Sequence, residues 1–179
     1  INDTGAFDNS DLIIIESTGS LTISGPVAFD NSGLITIESN GSLTISGPVA
    51  GNNTGTIKLD GVSGVTAATT VLDVSGIVGG LNNNGVISGI GTIIGTVNVN
   101  PPDVGASPGL ITITENFVAG NDSHFEAELE GEEAGITYDQ LAVLGTANLN
   151  GSLQVTSLNG YRPSATASYV ILTAGILLG

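Results

Sequence analysis

The sequence has no cysteine, methionine or tryptophan, only two firm cations, Lys58 and Arg162, and few aromatic residues. Without cysteine there are no disulfides and no thiolate metal sites. Two cations set against seventeen acidic residues leave a net charge of −15, which excludes a nucleic-acid binder, since such proteins cluster Lys and Arg against phosphate. The same charge repels anionic lipid headgroups. No apolar run is long enough to span a bilayer as a helix, and no signal peptide is visible, so direct membrane insertion is not expected. The chain begins without Met and ends on Ile176-Leu177-Leu178-Gly179, which reads as a processed or partial piece of a longer chain.

What is abundant is Ile, Leu, Val and Ala, together with 27 glycines and many Asn, Ser and Thr. β-Branched residues suit a pleated strand, and Gly, Asn and Ser supply turns. The composition is one of strands and turns with enough apolar surface for a core.

The first hundred residues repeat. Phe7-Asp8-Asn9-Ser10 recurs as Phe29-Asp30-Asn31-Ser32, and Leu21 to Ala28 recurs unchanged at Leu43 to Ala50, both by a shift of 22. A looser third copy runs from Asn53, with a short insertion near Val62 to Thr70, and a fourth starts at Asn83-Asn84-Gly85. Within a copy, Asn-Ser-Gly or Asn-Thr-Gly makes a turn, and Leu34-Ile35-Thr36-Ile37-Glu38 then alternates with the two-residue period of a strand. Gly47-Pro48 ends the next strand, because proline cannot donate to a ladder.

A 22-residue period with short strands predicts one coil of a right-handed parallel β-helix, since a coil can bury its apolar face only by stacking on another. Stacking sets Ile13, Ile35, Ile57 and Ile87 in one interior column and Phe7 over Phe29 in another. Asn9, Asn31, Asn53 and Asn83 fall at one turn position, either as a hydrogen-bonded ladder or as turn residues that tolerate positive φ. An antiparallel sandwich is the rival, but its strands have no reason to repeat nearly identically.

From Gly89 the phrasing changes. Pro101 to Gly109 reads as a rigid connector, followed by a strand at Leu110-Ile111-Thr112-Ile113. Ser107-Pro108-Gly109 followed by Leu-Ile-Thr-Ile resembles a junction of bacterial autotransporter passengers and related secreted β-helix proteins. Phe125 to Gly131, Tyr138-Asp139-Gln140-Leu141 through Ala147, and Gly160-Tyr161-Arg162-Pro163 followed by Tyr169 to Gly175 are similar to the segment that closes pertactin-like passengers. The resemblance covers residues 89–179. Together with the β-helix repeats read over 1–100, it implies an all-β chain closed by a β-rich C-terminal cap over 101–179. It also implies an extracellular or cell-surface location, in a group that includes adhesins and stalks.

The expected function is therefore structural: a stiff stalk, adhesin or filament segment, and not an enzyme. Its partners would be copies of itself, as a homo-oligomer or filament, or a host or matrix glycan or protein. One alternative is head-to-tail stacking of subunits into an extracellular filament, because β-helix ends present unpaired strand edges. Another is a polysaccharide-degrading enzyme of the β-helix class. Glu16, Glu38 and Asp60 share one repeat position and would lie about 5 Å apart, near the separation of a retaining carboxylate pair. The repeat alone explains that column, and no aromatic platform accompanies it.

No cofactor is expected. Glu126, Glu128 and Glu130 lie on one strand face opposite Phe125, Ala127 and Leu129, which makes them weak candidates for Ca²⁺ against the plainer reading of a solvated outer face. The sole histidine, His124, is a weak metal candidate, and no Ser/His/Asp set can be argued from it. Gly76-Ile77-Val78-Gly79-Gly80 is not followed by a helix and is no phosphate loop. Glycosylation sequons stand at Asn2, Asn40, Asn52, Asn121 and Asn150. The stacked Thr22 and Thr44 lack the regular Thr-x-Thr pattern of an ice-binding face.

Overall fold

The computed structural model describes residues 5–25, 28–47, 49–62, 70–99 and 108–179. Asn2, Pro48, most of the Val62–Thr70 insertion and the connector from Pro101 through Ser107 lie outside the described residues. The protein is an all-β parallel β-helix, with no helix among the described residues.

The chain winds through three strands per coil. The first coil holds β1 (Phe7–Asn9), β2 (Leu12–Ile15) and β3 (Ser20–Ser24). The second holds β4 (Phe29–Asn31), β5 (Leu34–Glu38) and β6 (Ser42–Ser46), and the third β7 (Val49–Asn53), β8 (Thr56–Asp60) and β9 (Val71–Asp73). In the fourth, β10 (Ile77–Asn83) is followed by β11 (Val86–Ile94), which turns a corner and serves two faces. Then come β12 (Val97–Val99), β13 (Leu110–Ile113), β14 (Phe117–Ala119), β15 (His124–Leu129), β16 (Gln140–Asn148), β17 (Ser152–Ser157) and β18 (Leu172–Leu178).

Every ladder between these strands is parallel. The first face stacks β1, β4, β7, β10, β12, β14 and the ends of β16 and β18. The third stacks β3, β6, β9, the end of β11, β13 and the starts of β16 and β18. The second stacks β2, β5, β8 and the start of β11, while β15 and β17 form a separate pair. The ladders thus run on beyond residue 100. Eight rungs on the first face, about 4.8 Å apart, make a stack about 34 Å long.

Period-2 alternation explains why these segments stack. In β5, Ile35 and Ile37 are fully buried while Thr36 and Glu38 point outward. Ile57 and Leu59 repeat this in β8, and Leu43 and Ile45 in β6. Ile13, Ile35, Ile57 and Ile87 pair in one register, and Phe7 stacks on Phe29 with ring centroids 5.9 Å apart and planes 6° from parallel. Each fully buried Ile or Leu contributes about 1.5–3 kcal/mol of transfer free energy, so the interior columns are the main source of stability.

Only the first coils keep the period of 22. Successive rungs of the first face are 16 positions apart from Leu81 to Val97 and 30 from Phe117 to Ala147. Strand segments keep register while the corners between them change length.

Candidate functional site: the amide ladders, the Asp139 clamp and the C-terminal mouth

The inner asparagines form a hydrogen-bonded ladder. Asn9 Nδ2 donates to Asn31 Oδ1 (2.7 Å), Asn31 to Asn53 (2.6 Å) and Asn53 to Asn83 (2.6 Å). Each amide also donates to a carbonyl two residues on: Asn31 to Gly33, Asn53 to Gly55 and Asn83 to Gly85. All four are buried, and each has a partner, as burial of an amide requires. One position away, a second amide ladder runs along the outside of the first face. Asn52 donates to Asp30 (2.8 Å), Asn82 to Asn52 (3.3 Å) and Asn98 to Asn82 (3.4 Å). Sequence reasoning missed this outer ladder. Its signal was the Asn-Asn pairs at Asn52-Asn53 and Asn82-Asn83.

Two of the three carboxylates at the shared repeat position, Glu38 and Asp60, are engaged by their neighbours. Glu38 Oε2 accepts from the backbone N–H and hydroxyl of Ser17, and Asp60 lies 3.3 Å from Lys58 Nζ. Glu126 accepts from Thr156 Oγ1 and Glu130 from Asn159 Nδ2, both one coil on. Among the described residues no group of three or more His, Asp or Glu side chains is arranged to hold a metal ion. His124 Nδ1 lies 2.6 Å from Ser152 Oγ, its register partner in the next coil.

Asp139 is the acidic residue that the structure sets apart. In sequence it follows the outward glutamates closely, but it is buried and works as a clamp. Its Oδ1 accepts the backbone N–H of Gly109 (2.8 Å) and its Oδ2 accepts that of Glu128 (2.8 Å). Its own N–H donates to the Glu128 carbonyl, and the next N–H, of Gln140, donates to the Gly109 carbonyl. One side chain therefore ties the segments entering β13 and running through β15. Burial pushes the Asp139 carboxyl up to about 6, against the two N–H bonds that favour the anion, and the charges of Glu128 and Glu126 add to the rise.

This shift has a definite sign. The folded chain holds the Asp139 proton more tightly than the unfolded chain, whose carboxyl titrates near 3.8. Its contribution to stability is full below that value and is lost as pH rises toward about 6. Asp139→Asn cannot titrate, so urea unfolding midpoints of wild type minus variant are expected to fall between pH 4 and pH 6.5. A difference that stays level across this range would contradict the burial of a titrating carboxyl.

Beside the clamp, Tyr138 meets Tyr169 edge to face, with centroids 5.1 Å apart and planes 88° from parallel. The Tyr169 hydroxyl lies 2.7 Å from that of Tyr161, a hydrogen bond that pushes the Tyr169 phenol up to about 12. These contacts fold residues 158–171 back toward the last coils.

At the C-terminal end the interior opens into a cavity of about 650 Å³, lined by Val99, Phe117, Phe125, Leu153, Leu172 and Leu177 among others. These are interior positions of the last coils. Leu177 follows the fully buried Ala147 in register yet is 61% exposed, and Val155 follows the fully buried Ala127 yet is 53% exposed. The lining is mostly apolar and also includes His124, Asn150 and Ser152. No protein-family model, no curated protein and no solved structure matches the chain.

Proposed function

We propose that the chain is a structural segment of an extracellular surface protein: a stiff β-helical shaft that holds other parts of a stalk or adhesin away from a cell. The observation that carries this reading is the unbroken interior of stacked Ile, Leu, Val and Phe, held in register by two amide ladders. Such a stack resists bending because each coil is bonded to the next along whole strands. The outer faces carry acids and amides, which keep an elongated surface solvated.

The resemblance to autotransporter passengers supports the same reading. The two segments that carry it, around Gly109 and around Asp139, are joined by the Gly109 N–H to Asp139 hydrogen bond. The tether of one motif to the other is a structural role and needs no substrate.

Antibodies raised against the folded chain test the assignment on intact source cells. Labelling before permeabilisation is the expected result. Labelling that appears only after permeabilisation would overturn a surface role.

A further inference from the structure

We propose that Tyr161 and Tyr169 form an oxidative cross-linking site, where a one-electron oxidant joins the two phenol rings into a dityrosine that staples their loop closed. This goes beyond the proposed shaft role and does not depend on it.

Three observations converge. First, the chain has only three tyrosines, and all of them meet at one place. The hydroxyls of Tyr161 and Tyr169 are in hydrogen-bond contact, and the Tyr169 ring stands edge to face on the buried Tyr138. Partners held side by side react as if at very high concentration. A radical formed on either ring of the pair therefore meets the other ring before it meets a second molecule.

Second, composition leaves an oxidant few other targets. Thiols and thioethers are common sites of oxidation, and the chain has no cysteine, no methionine and no tryptophan. The phenols are then the most readily oxidised groups it carries.

Third, the pair can be reached. Tyr161 and Tyr169 are both partly exposed, whereas Tyr138 is buried. Residues 162–166, which lead from one to the other, are exposed, so the Tyr161 ring can turn toward Tyr169 without disturbing a packed interior.

The chemistry balances with hydrogen peroxide as the terminal oxidant, used by a peroxidase. Each phenol gives up one electron and its hydroxyl proton. The two phenoxyl radicals join by a carbon–carbon bond between the ring positions next to their oxygens, and the hydrogens on those carbons move to the oxygens to restore both hydroxyls. The two electrons and two protons reduce one hydrogen peroxide to two waters.

The test treats the folded chain with a peroxidase and hydrogen peroxide. Complete digestion after acidic residues then releases residues 140–179 as one peptide, since no Asp or Glu lies beyond Asp139, and this peptide holds Tyr161 and Tyr169 but not Tyr138. It is expected to be lighter by two hydrogens and to carry the blue fluorescence of dityrosine, in a yield per chain that does not fall on dilution. Tyr161→Phe and Tyr169→Phe keep the rings, and each should lower the fluorescence several-fold, while Tyr138→Phe should leave it unchanged. A cross-link that joins this peptide to the one ending at Asp139 would overturn the proposal. So would dityrosine found only in covalent dimers on a denaturing gel, or none at all.

Discussion

Gly55→Ala is expected to abolish folding or to cost about 3 kcal/mol or more, a large share of the ~5–15 kcal/mol that holds a domain together. A Cβ on Gly55 would lie 2.1 Å from the carbonyl oxygen of Gly33 in the coil before. The same contact recurs through the stack, with Gly33 against the Asp11 oxygen and Gly85 against the Gly55 oxygen, each at 2.1 Å. The obstacle is backbone in all three cases, so no rotamer change relieves it, and separating the coils would stretch the bonds from Thr56 N–H to Gly33 and from Val86 N–H to Gly55. Gly79 is the control. It has φ +83 but open space around its Cβ position, so Gly79→Ala should cost only the left-handed strain, about 1–2 kcal/mol. Urea unfolding followed by circular dichroism measures both. Equal costs at the two sites would show that coil separation does not set the glycine requirement.

Asn53→Ala carries the second large effect, about 3 kcal/mol. Asn53 sits in the middle of the inner ladder, fully buried, accepting from Asn31 and donating to Asn83. Its removal leaves the Asn83 oxygen without that donor and the Asn31 amide without its shortest acceptor, both deep in the stack. An orphaned buried polar group costs about 1–3 kcal/mol, and the lost bonds and the cavity add to it. Asn9→Ala, at the end of the ladder, loses one link and should cost about 1 kcal/mol. The measurement is the ratio between the two variants in urea unfolding. A ratio near one would mean that the amides act singly, as turn residues, and not as a chain.

The sequence made the early coils legible because their corners have constant length. Identical phrases 22 apart fixed Phe7 on Phe29, Ile13 under Ile35 and Asn9 on Asn31, and the structure has those registers. Beyond Asp60 the corners vary, so the register from Leu81 to Val97 to Phe117 has no constant spacing from which it could be read. Alternation remained informative there: Ala127 and Leu129 point inward and Glu126 and Glu128 outward, as period two requires. Asp139 escaped because five glutamates precede it closely in sequence. Its burial follows from Gly109, thirty positions away, and no local pattern encodes that. The open mouth escaped for a related reason. Leu153 and Leu177 follow Phe125 and the buried Ala147 in register, and only their place in the last coils exposes them.

The parallel, in-register stacking of like on like has a practical consequence for anyone who handles the protein. Strands spaced about 4.8 Å apart along one axis, with Asn over Asn and Ile over Ile, are the arrangement by which amyloid is diagnosed. The native fold should therefore give a 4.8 Å reflection when aligned and offer amyloid-reactive dyes the same grooved, repetitive surface. A positive dye test on a fresh preparation would report correct folding, and loss of the signal on heating would report damage, the reverse of the usual interpretation.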